Sequence, residues 1–325
     1  MKIQVMGSGS WGLALARMVA LNGHDVSVWC RPEDNPEALR ETREAPDFLP
    51  GVKIPESIDI VTETDPTVDI VVLAIPSHVM RVVLKQHSFS PETIRVNVAK
   101  GIENETLLRM DEVIHEVHGD CPVVVLSGPS HAEEVARELP ASVCAAGVNE
   151  AACITVQQAF QCPYFRVYTT SDIIGVELGG SLKNIIAIAA GVCDGYGLGD
   201  NAISALVTRG LAEISRLGIA MGADPLTFSG LSGMGDLITT CLSKHSRNRA
   251  VGQRLAQGMS VEEALAASPM VAEGVRTTQS AHALATKLGV SMPITHQVHR
   301  VLFEGVDPKE AITALMTRDP RSEQE

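Results

Sequence analysis

The chain reads as an α/β protein: a Rossmann-like doubly wound sheet followed by an all-α domain. Three observations carry that expectation. A glycine turn of the form GxGxxG sits between a short apolar run and a helical one at the N-terminus. Short strand-like runs then alternate with helical stretches up to about residue 171. Beyond that point the strand signals stop and helical periodicity continues alone. Repeated βα units imply a mostly parallel sheet, which binds ligands at the carboxyl ends of its strands. The boundary expected between the two domains is 171/172, giving units of 1–171 and 172–325.

The elements follow in order. Residues 2–6 are a short apolar strand, 13–22 a helix ended by Gly23, and 25–30 a second strand. Between the first two lie Gly7, Gly9, Ser10, Trp11 and Gly12. Glycines in this pattern permit a tight turn, close approach of backbone to a pyrophosphate and tight helix–strand packing. The helix N-terminus then faces the phosphates. The strand–turn–helix–strand context makes this a dinucleotide-binding signature rather than a chance loop. The second strand ends at Arg31 and has no acid there for a ribose 2′-hydroxyl; Glu33 and Asp34 lie beyond Pro32. An arginine at that place suits a 2′-phosphate, so NADP is favoured without excluding NAD.

Alternation continues with strands at 58–61, 69–75, 93–99 and 123–126 and helices at 77–87 and 107–117. Shorter strands at 142–146 and 165–168 flank a helix at 150–160. Lys100, Gly128 and Ser130 fall at strand ends, on the ligand edge. Ser130 with Glu133 reads as a capping box. Helices are then expected at 172–194, 200–221, 225–230, 246–257, 260–267, 276–288, 294–303 and 308–316, with a disordered tail at 318–325.

Within the helical part, 176–191 is almost wholly apolar, yet Lys183 stands in its middle. Its helical neighbours at i−4, i−3, i+4 and i+7 are Gly179, Gly180, Ala187 and Ala190, a face stripped of side chains. Two helical glycines cost about 0.5–1 kcal/mol each, so they want a reason. Close helix packing is one, and room for a ligand beside the amine is another. Burial lowers a lysine pKa toward the range useful for proton transfer. The alternative is a lysine that snorkels to the surface.

A second segment runs from Gly233 through Asp236 to Lys244, His245, Ser246, Arg247, Asn248 and Arg249. Asp236 follows two glycines and precedes an apolar run, so it could simply cap a helix. Ser246 can cap the next helix, which puts Arg247 in a first turn where a cation opposes the helix dipole. A bound phosphate reverses that sign. With Arg254, these cations are the most basic patch of a chain whose net charge is −13.

That net charge argues against nucleic-acid or anionic-membrane binding. Seven scattered cysteines without a CxxC pair suit a reducing compartment. Cys241 reads as structural, and none of the ten histidines has metal-ligand spacing, so no metal is expected. The N-terminus runs straight into a strand, without the pattern of a signal peptide. No membrane span is expected, since the 176–191 helix is short and carries Lys183.

Taken together, six segments resemble one family, the bacterial-type NAD(P)-dependent sn-glycerol-3-phosphate dehydrogenases. They are GSGSWGLALA at 7–16, AKGIE at 99–103, SGPSHAEEVARELP at 127–140, ELGGSLKNIIAIAAG at 177–191, GMGDLITTCLSKHSRN at 233–248 and VAEG at 271–274. The resemblance runs nearly end to end. It implies Lys183 as catalytic acid/base, supported by Asp236. It implies that Lys100, Gly128, Ser130, Asp236, Ser246, Arg247 and Asn248 hold a glycerol phosphate. Ser10, Trp11, Arg31, Lys100, Ala132, Arg247, Val271 and Glu273 would line the dinucleotide. Many members have a basic pair or histidine after the second strand where this chain has Arg31-Pro32, which leaves coenzyme preference open. The resemblance further implies a cytoplasmic, dimeric enzyme serving glycerophospholipid synthesis. Two rival readings differ in class: a β-hydroxyacid dehydrogenase acting on a carboxylate, and a non-catalytic dinucleotide-sensing regulator. The second would need no proton donor, and Lys183 counts against it.

Overall fold

The computed structural model describes residues 1–267, 271–320 and 322–323. The first half is a βα alternation. It runs β1 (Lys2–Met6), α1 (Ser10–Leu21), β2 (Asp25–Trp29), α2 (Pro36–Thr42), β3 (Ile58–Val61), β4 (Ile70–Leu73), α3 (Met80–Leu84) and β5 (Ile94–Asn97). It continues through α4 (Met110–His118), β6 (Val123–Ser127), α5 (Ala132–Val135), β7 (Ala141–Ala146), α6 (Glu150–Phe160) and β8 (Phe165–Thr170). The eight strands form one sheet in the order β3-β2-β1-β4-β5-β6-β7-β8. Every pairing is parallel except β6 with β7. The connection from β3 to β4 crosses β1 and β2, so the chain reverses its direction of winding between β1 and β4. A crevice opens there, at the carboxyl ends of both strands.

The central strands are apolar without interruption because both faces are covered. Ile3 and Val5 of β1, with Ile70 and Val72 of β4, pack under α1 and α6. Met6, Val71 and Leu73 face the other way, under α3 and α4. The period of two along each strand thus feeds two separate cores.

The second half is helical: α7 (Ile173–Gly195), α8 (Gly199–Ala220), α9 (Asp236–Leu242), α10 (Arg247–Ala256), α11 (Val261–Ala266), α12 (Glu273–Leu288), α13 (Pro293–Phe303) and α14 (Pro308–Met316). Helix α7 is the axis of this part and is buried along nearly its whole length. Its neighbours include α8, α9, α10 and α12, and at its N-terminal half it meets the end of β6. Its 23 residues extend beyond the 176–191 stretch and make it apolar and long enough to cross a membrane. Here that apolarity is spent on protein core instead. Helices α7 and α10 touch through backbone: a Cβ on Gly191 would lie 2.0 Å from the Arg249 carbonyl oxygen, and one on Gly252 2.0 Å from that of Ile188. This contact ties the first half of α10 to the C-terminal half of α7.

The expected elements differ from the observed ones at several ends. The 77–87 helix is a 3₁₀ turn, Ser77–Val79, followed by the five-residue α3. Helix α4 starts at Met110, not 107, because Leu107 is left-handed and Arg109 with Glu112 forms the capping box. Ser130 caps nothing: α5 begins at Ala132 after His131, and the Ser130 hydroxyl donates to the Gly128 carbonyl at 3.0 Å. Helix α2 was hidden among prolines and charges. The 225–230 segment is a 3₁₀ turn, Pro225–Ser229, that runs through Gly230 into a π-helical turn, Leu231–Gly235. Helix α12 starts at Glu273, three residues before the expected 276. The reading of 318–325 as a disordered tail lies partly outside the described residues.

Candidate active site

The glycine turn behaves as its pattern requires. Gly7 has φ +118°, and a Cβ on Gly12 would sit 2.1 Å from the Gly7 carbonyl oxygen. Gly9 is different. Its φ is −75°, open to any residue, and a Cβ there would meet nothing within 4 Å. No protein contact demands glycine at that place, so the open side is available to something else. Gly9 also supplies no side-chain cap to α1, and the first turn holds no acid. The first-turn amides at Trp11 and Gly12 can then serve an anion at the crevice between β1 and β4. A pyrophosphate fits this turn. Trp11 packs partly against the core behind it. Ser10 is buried and its hydroxyl donates to the Phe48 carbonyl at 2.6 Å, so its backbone rather than its side chain faces the turn.

Across the crevice, three helical-domain segments converge on the ends of β5 and β6. The key group is Lys183, 5% exposed in the middle of α7. Its face does not snorkel, and the glycines beside it serve close packing. A Cβ on Gly179 would lie 2.6 Å from the Ser232 carbonyl oxygen, and one on Gly180 2.5 Å from Ser127 Oγ. The π-helical turn and the end of β6 thus press against α7 where its side chains are absent. The π-helical turn leads directly into Asp236, at the start of α9.

Asp236 is 2% exposed and is more than a helix cap. One carboxylate oxygen accepts from Lys100 Nζ at 2.7 Å, and the other accepts from Lys183 Nζ. Lys183 also donates to Thr240 Oγ1 at 2.6 Å, and that hydroxyl donates in turn to the Asp236 carbonyl at 2.7 Å. An ammonium has three N–H bonds, so one remains for a further acceptor. Burial pushes the Lys183 amine down to about 8, a shift opposed by Asp236 and assisted by Lys100. Burial alone would raise the Asp236 carboxyl; the two lysines outweigh it and hold it below the usual range. The result is a carboxylate shared by two ammonium groups, one of them poised to lose its proton near neutral pH.

Thr240 was not anticipated, although it lies four residues after Asp236 on the same helix face. His131 was also missed. Its ring stands 5.7 Å from that of His245, across the two halves of the molecule, and its Nε2 is buried without a partner. Burial and the nearby Lys183 both lower its pKa.

The basic segment at 244–254 is smaller than its composition suggests. Arg249 pairs with Asp194 at 2.9 Å, and Arg254 donates to the Ala264 carbonyl at 3.0 Å. Ser246 caps α10 by accepting from the Arg249 amide at 3.2 Å. Asn248 does not point its carbonyl end at an open site; Oδ1 accepts from the Gly274 amide at 2.9 Å, which leaves the Nδ2 end. Arg247 is exposed and donates to the Val271 carbonyl at 3.3 Å. That contact brings the start of α10 to Val271 and Glu273. Glu273 at the head of α12 is half-buried, and its carboxyl is raised by burial against the pull of Arg247. The Ser77 amide, after β4, faces it at 3.5 Å. Gly128 stands at the end of β6 with Lys100 Nζ 3.4 Å from its carbonyl, and Ala132 is buried at the start of α5. Burial pushes the Cys241 thiol up to about 12, which suits packing rather than chemistry.

A doubly wound sheet with an open glycine turn, facing a helical domain that contributes a buried lysine, is the layout of a two-domain nicotinamide-dependent dehydrogenase. Comparison with known proteins narrows the class. The description "NAD-dependent glycerol-3-phosphate dehydrogenase N-terminus" matches residues 2–153, and its C-terminus counterpart matches 172–313. The chain belongs to this family. A glycerol-3-phosphate dehydrogenase [NAD(P)+] of Pelotomaculum thermopropionicum is 51% identical over 332 residues, spanning 100% of this chain and 95% of that one. One from a Thermoanaerobacter species is 51% identical over 99% of both chains. The crystal structure of glycerol-3-phosphate dehydrogenase from Coxiella burnetii superposes with TM-score 0.93 at 37% identity, covering 98% and 99% of the two chains.

Proposed function

We propose that this chain interconverts dihydroxyacetone phosphate and sn-glycerol 3-phosphate with NAD(P)H, using Lys183 as the general acid and base. The observation that carries the reading is the Lys183–Asp236–Lys100 arrangement, a buried amine with one N–H bond to spare beside a nucleotide crevice. A reduced nicotinamide held at the Gly7–Gly12 turn would supply the hydride that the C2 carbonyl carbon accepts. Negative charge then builds on the carbonyl oxygen, and Lys183 donates its proton there. In the oxidative direction the neutral amine takes that proton back. Asp236 and Thr240 hold the amine in place, and Lys100 keeps Asp236 ionised.

The start of α10 holds the phosphate through Ser246, Arg247, Asn248 and the first-turn amides. Binding energy at that remote end holds the carbonyl against Lys183. Lys100, Gly128 and Ser130 line the substrate from the strand ends. Gly7, Gly9, Ser10, Trp11, Gly12, Arg31, Lys100, Ala132, Arg247, Val271 and Glu273 line the dinucleotide. In this reading the chain divides at 171/172 into a dinucleotide domain and a substrate domain. It works in the cytoplasm, supplying glycerol 3-phosphate for glycerophospholipid synthesis. Following absorbance of the reduced nicotinamide with dihydroxyacetone phosphate tests the activity directly. No consumption of NADH or NADPH, or faster turnover of a short β-hydroxyacid than of glycerol 3-phosphate, would overturn it.

The same assay has an expected pH dependence. Reduction requires the Lys183 ammonium, and its pKa is about 8. The value of kcat/KM for dihydroxyacetone phosphate should be level below that pH and fall above it, up to tenfold per unit. Oxidation requires the neutral amine, so kcat/KM for glycerol 3-phosphate should rise through the same range and level off above it. A flat profile in both directions from pH 7 to 9.5 would remove Lys183 from the proton step. We further propose a homodimer. Sedimentation at micromolar concentration should give about twice the chain mass, and a single-chain mass would refute it.

A further inference from the structure

The end of β2 is where a dinucleotide-binding sheet distinguishes its coenzymes. A carboxylate there accepts from the ribose 2′-hydroxyl of NAD, and a cation there meets the 2′-phosphate of NADP. This chain places both at one spot. Arg31 follows β2 with its side chain 55% exposed. Its Nε donates to Asp34 Oδ2 at 3.0 Å and one terminal nitrogen donates to Oδ1 at 2.6 Å. That edge of the guanidinium is laid on the carboxylate. The pairing is built into the local chain. Pro32 opens a 3₁₀ turn, Pro32–Asp34, which folds Asp34 back toward Arg31, and Asn35 closes the turn in the left-handed region at φ 53°. Arg40, on the following helix, is held by Glu37 at 2.9 Å and by the Ile60 carbonyl at 2.8 Å. It does not take Arg31's place on Asp34.

Asp34 takes the Nε edge of the guanidinium, so a 2′-phosphate finds only the outer edge open, with a carboxylate already beside it. The phosphate must displace the carboxylate or sit beside it as a second anion. A ribose 2′-hydroxyl meets no such conflict. Two carboxylate oxygens offer about four lone-pair sites, Arg31 uses two, and a hydroxyl can donate to another. We propose that Asp34 is the coenzyme-selecting residue of this chain: it accepts from the NADH ribose and, by holding Arg31, restrains the binding of NADPH. The proposal rests on reading the turn from Gly7 to Gly12 as a dinucleotide site. It also changes the meaning of Arg31, which by itself would favour NADP.

Calorimetric titration of the full chain with each coenzyme, without substrate, tests it. Surface pairs of this kind contribute little to stability, so Asp34→Asn should keep the wild-type melting midpoint. Its NADPH dissociation constant should fall about fivefold, as the fork is released. Its NADH dissociation constant should rise about threefold, as a charged acceptor becomes a neutral one. Asp34→Ala should move both in the same directions. In an Arg31→Ala background, Asp34→Asn should leave NADPH affinity unchanged, because no fork remains to release. The proposal is overturned if Asp34→Asn shifts both coenzymes equally, shifts neither, or tightens NADPH to the same extent without Arg31. A wild-type chain that binds neither coenzyme would overturn the dinucleotide reading, and the proposal with it, and is distinguishable from those outcomes.

Discussion

Replacing Lys183 with alanine should lower turnover by about 10²–10⁴-fold while leaving coenzyme affinity close to wild type. The amine acts on the substrate oxygen and lies across the crevice from the glycine turn, so the nucleotide loses no partner. The fold should survive as well. In the wild type a buried carboxylate serves two ammonium groups, Lys183 and Lys100 at 2.7 Å. Without Lys183 a neutral Asp236–Lys100 pair remains, and an isolated buried charge, the costly outcome, is avoided. Lys183→Met fills the same volume with an apolar chain and should behave alike, which separates loss of the proton from loss of packing. Single-turnover absorbance with either coenzyme reads the rate, and titration reads the affinity. A variant with near wild-type kcat would refute the assignment. A variant that lost coenzyme binding in the same proportion would instead make Lys183 a structural residue of the crevice.

Arg247→Lys should weaken substrate by roughly one to two orders of magnitude, since hydrogen bonds to charged groups contribute about 1.5–3 kcal/mol. A lysine keeps the charge but cannot lay two parallel N–H bonds on a phosphate. The unliganded protein should hardly notice. Arg247 is exposed, its side chain makes only a long hydrogen bond to the Val271 carbonyl at 3.3 Å among the described residues, and a cation in the first turn of α10 opposes the helix dipole. Thermal melts should show an unchanged midpoint without ligand and a much smaller upward shift with glycerol 3-phosphate. Glycerol, which lacks the phosphate, should be a poor substrate for both forms, with little difference between them. A lowered unliganded midpoint with an unchanged KM would make Arg247 structural and move the phosphate elsewhere.

Much of this was legible in the residues because it is local. The glycine turn needs only neighbouring residues to define it, and so do the alternation of apolar runs, the exclusion of a stable polar face from α7 and the lysine stranded within it. The reason is periodicity: strands repeat every two residues and helices every 3.6, and both are visible over one element's length. Long-range contact settled the rest. The glycines beside Lys183 could signal either packing or space for a ligand, and the answer depends on Ser127 and Ser232, some fifty residues away on either side. Asp236 could be a cap until Lys100 and Lys183 both arrive at its carboxylate. Five cations looked like one basic patch until Asp194 and the Ala264 carbonyl claimed two of them. Arg31 read alone as a phosphate ligand, and a turn begun by Pro32 folds an acid onto it. A side chain's identity states what it can bond to. Which partner it takes depends on where the backbone brings the competitors, and burial then sets how strongly the choice is held.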